Sequence, residues 1–77
     1  MSIPYRELAT GVHLVRPSGP LNSSQAEALI HTFEELSAHG VRRVIVALDD
    51  VPFIDGPGLA ALIAGFRRFG NDRGDYN

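Results

Sequence analysis

Glu27, His31, Glu35 and His39 recur at four-residue steps, the spacing that lines side chains along one face of a helix. Carboxylates alternating with imidazoles are the donor types of a divalent-metal site. The same spacing describes a solvated stripe of acid–imidazole pairs, each worth a few tenths of a kcal/mol. Surface charge on a helix already predicts such a stripe, so no metal is assigned. Asp49-Asp50 is an acidic pair of the kind that holds Mg²⁺ when further carboxylates converge on it. Only Asp55 stands nearby, and Asp bonding to backbone amides two residues on explains the pair as a turn. Ser23 and Ser24 are hydroxyls that a kinase could use, but their place before an apolar helical stripe assigns them to capping. No Ser sits in the strand–turn–helix setting of a nucleophile elbow. A chain without Lys has no phosphate loop of the Gly-rich, Lys-bearing type. Arg73-Gly74-Asp75 spells an adhesion tripeptide, a chance match in a polar tail. No catalytic residue is assigned, and the expectation is a protein that is not an enzyme and needs no cofactor.

The segment Val51 to Leu59, V-P-F-I-D-G-P-G-L, carries a different kind of information. An acidic residue followed by two glycines and a proline marks the end of a strand and the start of a helix. In small α/β folds such helix starts are where anions and partner proteins dock. Between Asp55 and Leu59 there is no Ser, Thr, Cys or His. A site here works by shape and backbone, with Asp55 as cap or partner contact.

The elements that must position these residues follow from the apolar pattern. Tyr5 to Ala9 and Val12 to Arg16 are extended segments separated by Thr10-Gly11, with antiparallel pairing the simplest arrangement. Val12, Leu14 and the stem of Arg16 share one side, His13 and Val15 the other. Pro17 and Pro20 end the ladder, having no amide to donate. A helix starts near Asn22 or Ser23, with Asn22–Gln25 or Ser24–Glu27 as a capping box. Its apolar stripe is Ala26, Leu29, Ile30, Phe33 and Leu36, and Gly40 stops it. Val44-Ile45-Val46-Ala47-Leu48 is a β-branched run that predicts a central strand covered on both faces, commonly in a parallel pair. Pro57 suits the first turn of a second helix. Leu59, Leu62, Ile63, Phe66 and Phe69 predict its buried stripe, Arg67 and Arg68 favour its C-terminal end, and Gly70 ends it. Asn71 to Asn77 form a polar tail.

Composition bounds the rest. The 77 residues carry 44% hydrophobic side chains and a formal charge of −2, which describes one ordinary globular domain with marginal stability. A net negative chain with scattered Arg pairs has no field for nucleic acid. The absence of Cys excludes disulfide and thiolate chemistry. The start, Met1-Ser2-Ile3-Pro4-Tyr5, has no signal-peptide pattern, and no apolar run nears the roughly 18 residues of a membrane span. The expectation is a cytoplasmic protein without membrane insertion.

Three segments then resemble the anti-sigma factor antagonist (STAS) family, small bacterial proteins of partner-switching regulation. Val12 to Asn22, V-H-L-V-R-P-S-G-P-L-N, is similar to the family's second strand and its G-x-L-D entry to the first helix. Arg42 to Asp55, R-R-V-I-V-A-L-D-D-V-P-F-I-D, resembles its strand ending in L-D, a short spacer and F-I-D. Gly58-Leu59 with Ala60-Ala61-Leu62 matches the S-G-L opening of its second helix. In members regulated by phosphorylation, the residue before that Gly-Leu pair is the Ser or Thr modified by a partner kinase. Pro57 occupies the position and Gly56 precedes it, so the resemblance implies a corner without its phosphoacceptor.

The resemblance implies an α/β fold, a small mixed β-sheet backed by two helices, without the last strand and helix of the family. It also implies a non-enzymatic protein-interaction module. The expected partner surface is Asp55, Gly56, Pro57, Gly58 and Leu59 with the loop Asn22, Ser23 and Ser24. The expected partner is an anti-sigma factor of kinase-like fold, or alternatively a subunit of a lipid or anion transport system. A further alternative is a small metal-binding protein using the Glu27–His39 stripe. Three strands and two helices leave part of the sheet uncovered, which predicts truncation, a partner, or a homodimer completing the sheet.

Overall fold

A computed structural model describes residues 3–70. The polar segment Asn71 to Asn77, including Arg73-Gly74-Asp75, lies outside the described residues. Five elements follow in order: β1 (Tyr5–Ala9), β2 (Val12–Val15), α1 (Ser23–Ala38), β3 (Arg43–Val46) and α2 (Gly56–Gly70). The sheet runs β1-β2-β3. β1 and β2 form an antiparallel hairpin, and β2 and β3 are parallel. The architecture is thus α/β, a mixed three-stranded sheet with two helices.

Local chemistry accounts for each boundary. Gly11 turns the hairpin at φ 76°, a left-handed conformation that glycine adopts without steric cost. Its carbonyl accepts from the amides of Arg42 and Arg43, which locks the start of β3 to the turn. The hairpin register shifts between Glu7 and Ala9, a bulge in β1. Gly40, at φ 80°, follows the C-cap residue His39, so α1 stops where the sequence predicts. Asn22 caps the start of α1, its side chain accepting the Gln25 amide at 3.2 Å. The second half of a capping box is not formed. The Gln25 amide group reaches instead to the Ser18 carbonyl at 3.5 Å.

The core joins one face of the sheet to both helices. Val15, Leu21, Ala26, Leu29, Phe33, Leu36, Ala61 and Leu62 are buried together, with Val44, Val46 and Phe69 packed around them. Cross-strand partners confirm which face is inward: Val15 pairs with Val46, and His13 with Val44. Leu14 and Ile45 pair on the opposite face.

Two expectations are corrected. Among the described residues β3 has β2 as its one neighbour, and Ile45 is 48% exposed. A continuous apolar run records a preference for burial on both faces, and within residues 3–70 no second neighbouring strand supplies it. The buried stripe of α2 is also turned. Gly58, Ala61, Leu62 and Gly65 are buried with Phe69 half-buried, while Leu59, Ile63 and Phe66 are exposed at 52%, 46% and 57%. The cause is close helix packing. A Cβ added to Gly65 would overlap the Phe33 ring of α1, so the small residues are what let the two helices approach. On α1 the prediction holds at Ala26, Leu29, Phe33 and Leu36. Ile30 is exposed, and Thr32 is buried in its stead by donating its hydroxyl to the Ala28 carbonyl at 3.0 Å.

Candidate functional site

Both helices start at the same corner of the molecule. Leu21 and Ile54 form an isolated parallel bridge just ahead of them. The Leu21 amide donates to the Phe53 carbonyl at 3.0 Å, and the Asp55 amide donates back to the Leu21 carbonyl at 3.2 Å. This ties the loop Asn22–Ser24 to the junction Asp55–Leu59, so two segments far apart in sequence share one surface. Leu21 is fully buried and anchors the corner from below.

The two helix starts are built alike. Asp55 caps α2 as Asn22 caps α1, its carboxylate accepting the Gly58 amide at 3.0 Å. The Asp55 carbonyl accepts the Leu59 amide at 2.9 Å, the first bond of the helix. A carboxylate at this point also complements the positive end of the α2 dipole. Asp55 is half-buried, and Gly56 and Pro57 are exposed. Pro57 sits in the first turn, where a missing amide leaves no bond unmade. Nothing lies within 4 Å of a side chain added at Gly56.

Gly58 behaves differently from its neighbours. It is buried, and a Cβ there would fall onto the Leu21 carbonyl oxygen. Its missing side chain lets the α2 start close against the Leu21 backbone. It therefore shapes the corner from within, while Pro57, Leu59, Ser23 and Ser24 form its outer surface. Sequence reading identified both loops; the Leu21–Ile54 bridge that joins them has no short-range signal.

The other chemistry-bearing groups do not converge. Glu27, His31, Glu35 and His39 are all exposed, and His39 lies beyond the last residue of α1. Its ring Nδ1 is 2.8 Å from the Glu35 backbone carbonyl. Among the described residues no three His, Asp or Glu side chains come together as a metal set. A shallow depression of about 370 Å³ beside the stripe is lined by Ser24, Gln25, Glu27, Ala28 and His31. Asp49 and Asp50 occupy a turn closed by the Val51 amide on the Leu48 carbonyl at 3.1 Å. The Asp49 carboxylate faces the Arg16 guanidinium at 3.9 Å across solvent. No helix among the described residues is long and apolar enough to cross a membrane.

No curated protein matches the chain in sequence. Comparison with known protein families matches residues 6–75 to the STAS domain. That span takes in β1 from its second residue, the other two strands and both helices, together with the corner where the helices start. On this match, the chain belongs to the STAS domain family.

Proposed function

We propose that this chain is an anti-sigma factor antagonist that binds a kinase-fold regulatory partner through the corner where α1 and α2 begin, and that it binds without a phosphorylation switch. STAS domains are generally non-catalytic, and membership gives a protein-interaction or regulatory role. The observation that supports the finer reading is Pro57. It is exposed in the first turn of α2, immediately before Gly58-Leu59, where the resemblance expects a phosphoacceptor hydroxyl. Proline has no side-chain hydroxyl to accept a phosphoryl group.

The contact surface in this reading is Asp55, Gly56, Pro57 and Leu59 with Asn22, Ser23 and Ser24, over a Gly58 that holds the two loops together. Leu59 supplies an exposed apolar anchor and the Asx caps supply a polar rim. Proline and two tied loops lower the ordering cost of docking. Titration calorimetry with an anti-sigma factor of the kinase fold tests the surface. Leu59→Glu should weaken binding by about tenfold or more, as loss of a buried apolar anchor does. Unchanged affinity would move the interface elsewhere, and capture of a transporter ATPase subunit in place of the anti-sigma factor would reassign the role.

A further inference from the structure

We draw no further inference here: the strongest candidate, the exposed apolar patch of Leu59, Ile63 and Phe66 on α2 with Ile45 on β3, carries none because nothing in the structure shows what covers it.

Discussion

Single atoms decide the behaviour of the corner. The Asp55 carboxylate and the Asn22 side-chain oxygen each satisfy one amide that the first turn of a helix leaves unpaired. Asp55→Ala and Asn22→Ala should each cost about 1 kcal/mol of unfolding free energy, the usual loss for such a cap. Urea denaturation measures this, and the Asp55 variant should lose the more because its charge also meets the helix dipole. Gly58 presents a harder constraint. Because a methyl group there would occupy the Leu21 carbonyl, Gly58→Ala should destabilise by about 1–3 kcal/mol, the range for forced overpacking. Gly56→Ala, with open space around it, should stay within about 0.5 kcal/mol of the parent, as harmless surface changes do. Thermal melts of the two glycine variants side by side separate a shaping role from a merely flexible one.

Among the elements, the helix pair is the tightest joint. The Phe33 ring fills the space that Gly65 leaves open and meets Phe69 edge-on with centroids 5.9 Å apart. Gly65→Ala should therefore destabilise by about 1–3 kcal/mol, and Phe33→Leu should relieve part of that loss in the double variant. A double-mutant cycle that proves additive would show that ring and glycine do not oppose one another. The hairpin, both helices and the caps were legible from short-range signals: Gly11, Gly40, the Asn22 and Asp55 caps, and the periodicity of α1. Two features were not. Counting large apolar residues put Leu59, Ile63 and Phe66 into the α2 core, whereas Gly58, Ala61 and Gly65 face inward because close approach rewards small side chains. The run Val44 to Leu48 reads as doubly covered, yet coverage depends on which strand lies next to it, and no local pattern carries that. The corner was legible as two separate loops. Their union rests on the Leu21–Ile54 bridge, a pairing across more than thirty residues of chain.

At the scale of the whole molecule, the described residues form a small sheet with helices on one face and apolar side chains exposed on the side of α2 and β3. The corner lies at one end of that side, where the acidic residues gather and both helices begin. In the proposed reading that corner is the pre-shaped surface that a regulatory protein meets. What distinguishes this corner is the absence of a hydroxyl at the head of α2, where Pro57 stands. The most direct test treats the parent chain and a Pro57→Ser variant with an anti-sigma kinase and ATP, then follows each protein's mass and its affinity for the kinase. The account predicts no phosphorylated product and constant affinity for the parent. The variant should gain one phosphate and lose affinity by about tenfold or more, as a new charge inside an interface does. A phosphorylated parent, with the phosphate on Ser23 or Ser24 and binding lost, would contradict it.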